Sequence, residues 1–231
     1  NNYNLAPLKT PQMLEANTLQ FLKELQKNND RVWFDAHRDT YQVAMKDMQS
    51  FTTRLLHELV AIDPSIEGLE AKACIFRLFR DVRFSKNKLP YKTNLAAYLA
   101  KGGRKSERAG FYFHFEPNGK SFFGAGIWMP EGPVLQSIRQ EIDYSWSDFK
   151  DIINKASFKK LFPNMEGDRL KKAPKGYAID HPALSYLQLK SFLVTHPIPD
   201  TLLTQKDLLK TLLTYCKAAK PLIDFLNRNF D

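Results

Sequence analysis

The sequence predicts a single α+β domain in which helices cover a mostly antiparallel sheet of about five strands. Three observations carry this prediction. The 231-residue chain has 43% hydrophobic residues, which is enough for a substantial core. Strand-like segments follow one another with short turn signals between them, and helical patterns lie on both sides of this run. No repeat or linker divides residues 13–231, and residues 1–12 are expected to form a loose arm or a non-native addition.

The helical segments lie before and after the strands. Apolar periodicity and helix-start signals predict six of them. They are Leu19–Leu25, Trp33–Leu59, Val134–Ile142, Trp146–Phe162, the residues after Pro182, and Leu208–Leu226. Asp30 is placed to cap the second helix. Pro221 falls inside the last segment, which is therefore either two helices or one helix kinked at the proline.

Four consecutive segments and one late segment have the aromatic and β-branched composition of strands. They are Lys72–Phe84, Thr93–Leu99, Ala109–Glu116, Ser121–Met129 and Leu189–His196. Asn118-Gly119 is a strong signal for a two-residue hairpin turn. Such a turn pairs His114 with Phe123 and fixes which side chains share a face. That face is expected to carry Tyr112, His114, Glu116, Phe123, Ala125 and Ile127.

Composition and missing motifs exclude several classes of protein. Charges interrupt the apolar stretches every few residues, so no transmembrane helix is expected, and the N-terminus has no secretory pattern. Cys74 and Cys216 lie far apart inside apolar patterns, which predicts reduced thiols in a cytoplasmic protein. The usual nucleotide-binding, nucleophile-elbow and zinc-protease motifs are absent. The sequence indicates neither a metal site nor a particular cofactor.

The positive charge is concentrated in one part of the chain. Lys and Arg number 34 and Asp and Glu number 25, for a formal net charge of +9. Between Ala71 and Arg108 there are eleven basic residues against Asp81 and Glu107, so this segment alone carries a net +9. A regional excess of this kind indicates a surface that meets an anion.

Residues 77–92 have the composition of an anion site. Regular strand alternation would place Arg77, Asp81 and Arg83 on one face, where guanidinium groups can grip a phosphate or carboxylate in two places. Arg80 would lie on the apolar face, unless a bulge turns it round. The predicted ligand-binding residues are Arg77, Arg80, Arg83, Lys88, Tyr91, Lys92 and Lys190. The predicted acid–base residues are Asp81 and His114, and the structural alternative is an internal salt-bridge network centred on Asp81.

This segment also resembles the signature of a known family. The pattern R-x-x-R-D-x-R-F, followed after three residues by K-x-x-Y, is similar to that of the mainly bacterial domain-of-unknown-function family 2461. It occupies Arg77, Arg80, Asp81, Arg83, Phe84, Lys88 and Tyr91. Family members typically have Glu where Val32 stands here. The similarity extends from about Met13 to the C-terminus and implies a shared α+β fold with a shared polar site.

Three functions are compatible with these features. The first is a binding or active site for a phosphorylated or carboxylated small molecule. The second is a nucleic-acid-binding module in which the basic residues between 71 and 108 track phosphates. The third is an interaction protein for an acidic partner. We favour the first because the arginines alternate within a predicted central strand. The sequence indicates no membrane partner and no particular oligomeric state.

Overall fold

The computed structural model describes residues 12–230, so residues 1–11 of the expected N-terminal arm lie outside the described residues. The longer helices are α1 (Ala16–Lys27), α2 (Arg31–Ala36), α3 (Arg38–Leu59), α5 (Gly132–Tyr144), α6 (Trp146–Asn154), α7 (Ala156–Leu161) and α10 (Leu208–Asn227). Three helices of one turn are α4 (Ala71–Cys74), α8 (Leu184–Leu187) and α9 (Asp200–Leu203). The strands are β1 (Leu95–Leu99), β2 (Gly110–Phe115), β3 (Phe122–Ile127) and β4 (Phe192–Pro197). Within residues 12–230, every helix is too short or too polar to cross a membrane.

The four strands form one antiparallel sheet in the order β1–β2–β3–β4. The predicted α+β class is confirmed, with four strands rather than five. Helices α3 and α10 bury one face of the sheet. The Phe51 ring of α3 packs with its centroid 5.8 Å from that of Phe115, and the Tyr215 ring of α10 packs 5.7 Å from that of Phe123. The opposite face carries the polar residues described below.

The predicted strand Lys72–Phe84 is wrong. Its beginning is helix α4, and the rest makes only isolated bridges, from Ile75 to Ala97 and from Phe79 to Tyr91. A regular strand would have turned one arginine of this segment toward the apolar side, and burying an unpaired charge costs several kcal/mol, to order of magnitude. Instead of continuing as a strand beside β1, the chain turns away from the edge of the sheet.

Residues 75–94 form an irregular excursion, which we call the basic loop. It is held by backbone hydrogen bonds from Phe76 N to Ala96 O at 2.9 Å, from Arg80 N to Pro90 O at 2.9 Å and from Lys92 N to Leu78 O at 2.8 Å. The loop thus starts beside β1, folds back on itself and returns to the start of β1. The predicted common strand face of Arg77, Asp81 and Arg83 does not form.

The β2–β3 hairpin forms at the predicted turn, but its register differs from the prediction by one residue. His114 pairs with Phe122 rather than with Phe123. The Ser121 hydroxyl supports this register, because it accepts from the Glu116 N–H at 2.9 Å and donates to the Glu116 carbonyl at 2.8 Å. A shift of one residue reverses both faces of a strand, so the predicted face is wrong. Phe123, Ala125 and Ile127 lie in the core, and Phe122, Gly124 and Gly126 share the face of Tyr112 and His114.

Two of the predicted helices are interrupted. The segment Trp33–Leu59 breaks at His37, where φ is −114° and ψ is 23°. The segment Trp146–Phe162 breaks at Lys155, where φ is −57° and ψ is 128°. The apolar periodicity continues across both breaks. An isolated non-helical residue is therefore not visible in that pattern. The C-terminal segment is one helix, α10, with Pro221 in its interior.

Candidate functional site

The cationic part of the site consists of Arg77, Arg80 and Lys92 in the basic loop. Lys92 is half-buried, and its Nζ lies 5.4 Å from the centroid of the Phe76 ring. Burial lowers the pKa of Lys92, and the positive charges of Arg77 and Arg80 lower it further. Burial and the two arginines therefore disfavour the charge of the Lys92 ammonium, and the contact with the Phe76 ring offsets part of that cost.

These three cations have no carboxylate partner within residues 12–230. The Arg80 guanidinium donates to Ser85 Oγ at 3.3 Å, and none of the three side chains forms an ion pair there. Asp81 interacts with Arg77 only as a nearby charge and is already paired with Arg83, so the positive charge of the three residues is not balanced and raises the free energy of the folded protein. A phosphate or carboxylate bound among them would relieve that repulsion through charge-assisted hydrogen bonds.

Asp81 and Arg83 form a separate ion pair on the surface. Arg83 Nη2 donates to Asp81 Oδ2 at 2.8 Å. The hydrogen bonds from Arg83 lower the pKa of Asp81, and the charge of Arg77 adds a smaller effect. The Arg83 side chain is 76% exposed, so water screens this pair and its contribution to stability is small. The carboxylate proposed as an acid–base group is thus engaged by Arg83.

The other predicted ligand-binding residues are not part of the cation cluster. Lys88 Nζ donates to the Val82 carbonyl at 3.1 Å within the tip of the loop. Tyr91 is buried and stacks on Phe34 with ring centroids 4.0 Å apart. Lys190 is exposed and lies just before β4, the strand at the opposite edge of the sheet from β1.

A hydrogen-bond chain of Tyr112, His114 and Glu116 lies on the polar face of β2. Tyr112 Oη lies 3.0 Å from His114 Nδ1, and His114 Nε2 lies 3.0 Å from Glu116 Oε2. Thr93 Oγ1 donates to Glu116 Oε1 at 2.9 Å, and the His114 ring stacks on Phe122 with centroids 4.7 Å apart. The three members share a face because side chains alternate along a strand.

The hydrogen-bond partners assign the protons in this chain. A carboxylate only accepts, so His114 Nε2–H donates to Glu116, and His114 Nδ1 accepts from the Tyr112 hydroxyl. Burial lowers the pKa of His114 and outweighs the opposing effect of Glu116, and nearby Lys92 lowers it further. Burial, with a contribution from the Glu116 charge, raises the pKa of Tyr112 to about 12. Both shifts keep the proton on Tyr112 in the resting chain, so it passes to His114 only when the Tyr112 oxygen receives another proton.

A groove of about 670 Å³ lies on the same face of the sheet. Its lining includes the aromatic residues and glycines of this face, which are Phe76, Tyr98, Gly110, Tyr112, Phe122, Gly124 and Gly126. The Phe76 ring, which carries Lys92 on one side, lies 6.1 Å from the Tyr112 ring. Arg77, Arg80 and Lys92 do not themselves line the groove, which is connected to Lys92 through Phe76 and to the hydrogen-bond chain through Tyr112. A larger concavity of about 890 Å³ beside α10 is lined by lysines and has neither an aromatic nor a histidine side chain.

Some residues of this site were not among those predicted from the sequence. The signal for Tyr112 is its alternate-residue spacing from His114 and Glu116. Thr93 donates to Glu116, and the side-chain amide of Asn94 lies 3.4 Å from His114 Nδ1. Neither residue has a comparable signal in the sequence, because the return of the basic loop determines their positions. Within residues 12–230, no three His, Cys, Asp or Glu side chains are grouped so as to hold a metal ion.

The burial of His114 predicts a dependence of stability on pH. Because its pKa in the folded protein lies below the ordinary value, the unfolded chain binds a proton more readily. The free energy of unfolding should therefore fall as the pH drops below about 6.5. We expect His114→Gln to show a smaller decrease than the wild type between pH 7.5 and pH 5.5, measured by urea unfolding. Equal decreases in the two proteins would refute the assignment of a buried neutral imidazole.

The fold and the site describe an α+β protein with a polar, aromatic groove on one face of an antiparallel sheet. A family model described as "Conserved hypothetical protein (DUF2461)" matches residues 17–225. The chain belongs to this family, which confirms the family resemblance predicted from its sequence. No curated protein and no solved structure matches the chain.

Proposed function

We propose that the protein binds a phosphorylated or carboxylated small molecule at Arg77, Arg80 and Lys92 and exchanges a proton with it through Tyr112. The observation that carries this proposal is the position of the three cations. They lack a carboxylate partner within residues 12–230, and Lys92 acts electrostatically on His114. An anion held at this place would lie beside a hydrogen-bond chain suited to acid–base chemistry.

The proton chemistry follows from the hydrogen-bond chain. The pKa of about 12 keeps the Tyr112 hydroxyl protonated at neutral pH, and its single proton is donated to His114 Nδ1, so the Tyr112 oxygen is the atom left to accept a proton from a bound ligand. As the ligand gives a proton to the Tyr112 oxygen, the original hydroxyl proton passes to His114 Nδ1, and the carboxylate of Glu116 neutralises the resulting imidazolium. Tyr112 lines the groove and is the member of the chain that contacts the ligand.

Titration with inorganic phosphate tests the binding part of this proposal. Isothermal titration calorimetry at low ionic strength should show saturable binding with one phosphate per chain. A linear, unsaturable heat at phosphate concentrations up to tens of millimolar, roughly the range of weak single-anion sites, would reject the proposal.

A second candidate function is binding of single-stranded nucleic acid by the tip of the basic loop. The Phe84 side chain is 96% exposed and is flanked by Arg83, with Lys86 and Lys88 also exposed. Exposed aromatic rings among cations are typical of platforms on which bases stack. A labelled single-stranded oligonucleotide should then bind with an affinity that falls steeply with salt. The absence of binding at low salt would remove this candidate.

The buried cysteines support a cytoplasmic location as part of the proposal. Cys74 and Cys216 are both free and buried. Burial raises the pKa of the Cys74 thiol to about 11, so it is not a reactive thiolate at neutral pH. Unpaired thiols of this kind fit a reducing compartment.

A further inference from the structure

Gly124 occupies a position in the middle of β3 where packing does not require a glycine. A Cβ built there would lie 3.6 Å from the Tyr112 Cβ and 3.8 Å from the Phe122 ring, which are ordinary van der Waals distances. Its φ angle is also outside the left-handed region. A glycine inside a strand weakens the strand, so its presence without a packing reason points to something that approaches the backbone.

Gly126, two residues along the same strand, is a contrasting case. Its φ is +127°, and an added Cβ would overlap the carbonyl oxygen of Phe192 on β4. The fold itself therefore explains Gly126. No such overlap occurs at Gly124. The explanation for this glycine therefore lies in the groove that it helps to form.

The surroundings of Gly124 suit a flat ring. The ring centroids of Tyr112 and Phe122 lie 5.6 Å apart on the same face, and the Phe76 ring lies 6.1 Å from that of Tyr112. Stacked and edge-on contacts with such rings favour a planar aromatic group over a flexible chain. At the other end of the groove, the Trp128 side chain is 66% exposed and adds a further aromatic surface.

The charges at the two ends of the groove give the ligand a direction. Arg77, Arg80 and Lys92 lie at the Phe76 end. Glu131 and Glu166 line the groove away from Phe76, since Glu131 follows β3 and Glu166 bridges to Leu193 on β4, across the sheet from β1. Arg104 and Glu107, which precede β2, also line the groove and are opposite in charge. An anionic group is attracted to the first end and repelled from the second.

We infer that the ligand is a small anion that carries a planar aromatic or heteroaromatic ring, with the ring seated over Gly124 and the anionic group among the three cations. The inference rests on the proposed function, because the cation cluster places the anionic end. It adds the chemical class of the ligand, which the cluster alone does not define.

Two probes separate the ring from the anion. Inorganic phosphate reports the cation cluster alone, and 1-naphthyl phosphate reports the cluster together with the ring. Both are titrated by calorimetry into the wild type, Gly124→Ala and Gly132→Ala. The last variant is the matched control, because it adds the same methyl group at the start of α5, where nothing lies within 4 Å.

The expected result is a difference between the two probes that depends on Gly124. The wild type and Gly132→Ala should bind 1-naphthyl phosphate about tenfold more tightly than inorganic phosphate. Gly124→Ala should lose most of that difference, retain its affinity for inorganic phosphate within about twofold, and keep the thermal stability of the wild type, since the methyl group meets only ordinary contacts.

Two other results would contradict the inference in different ways. If both probes bind the wild type with equal affinity, or if Gly124→Ala keeps the full difference, the ring assignment is overturned and the anion site stands. If neither probe binds the wild type, the proposed function fails and the ring assignment fails with it.

Discussion

Replacing Lys92 with methionine is expected to weaken phosphate binding by about tenfold to a hundredfold and, at the same time, to stabilise the protein in the absence of phosphate. The affinity falls because one charge-assisted hydrogen bond to the anion is lost, worth about 1.5–3 kcal/mol. The stability rises slightly because burial and the charges of Arg77 and Arg80 oppose the Lys92 ammonium more than the Phe76 ring favours it. Calorimetry with inorganic phosphate and urea unfolding measure the two effects.

Arg83→Ala is the matched control for Lys92→Met. It removes one positive charge from the same basic loop, but from a side chain that is 76% exposed and paired with Asp81. We expect its phosphate affinity to stay within about twofold of the wild type. If both variants lose affinity equally, the loop attracts anions only through its overall charge. If Lys92→Met destabilises the protein, the lysine has a structural partner and the cluster is not a site of uncompensated charge.

Gly126→Ala is expected to destabilise the protein by roughly 3 kcal/mol or more, or to prevent folding. An added Cβ would overlap the Phe192 carbonyl oxygen and lie 2.9 Å from its carbonyl carbon, and the φ of +127° is strained for any residue with a side chain. Relief would require β3 and β4 to move apart where they pair. Thermal unfolding followed by circular dichroism measures the loss.

The matched comparison for this variant is Gly124→Ala in the same strand. Both substitutions add one methyl group, but only the one at Gly126 meets backbone atoms at short distance. Unfolding temperatures that fall equally would show that β3 tolerates neither side chain, and the functional interpretation of Gly124 would be lost. A Gly126→Ala protein as stable as the wild type would contradict the pairing of β3 with β4 described above.

The sequence predicted the elements of this fold better than their boundaries and register. Helix α5, strand β1 and the turn at Asn118-Gly119 follow from periodicity and turn chemistry, which are local properties. The register of the hairpin does not, because it depends on the hydrogen bonds of the Ser121 side chain with Glu116. A difference of one residue there decides which face of β3 carries the glycines.

The candidate site was predictable in composition but not in arrangement. The charge excess between residues 71 and 108 includes Arg77, Arg80 and Lys92 but does not distinguish them from the other basic residues of that segment. Regular alternation could not separate them from Arg83, whose ion pair with Asp81 forms only because the chain leaves the sheet. Lys92 of the basic loop acts electrostatically on His114 of β2, and no local pattern in the sequence encodes such a tertiary arrangement.

The central claim, that Lys92 belongs to a cation cluster which an anion completes, is tested most directly by nuclear magnetic resonance of the Lys92 side chain. Its pKa is measured from the ζ-nitrogen or ε-carbon chemical shift, first without and then with inorganic phosphate. We predict a pKa below the ordinary value of lysine without phosphate, and a rise when phosphate binds and neutralises the surrounding charge. An ordinary pKa that phosphate leaves unchanged would contradict the claim.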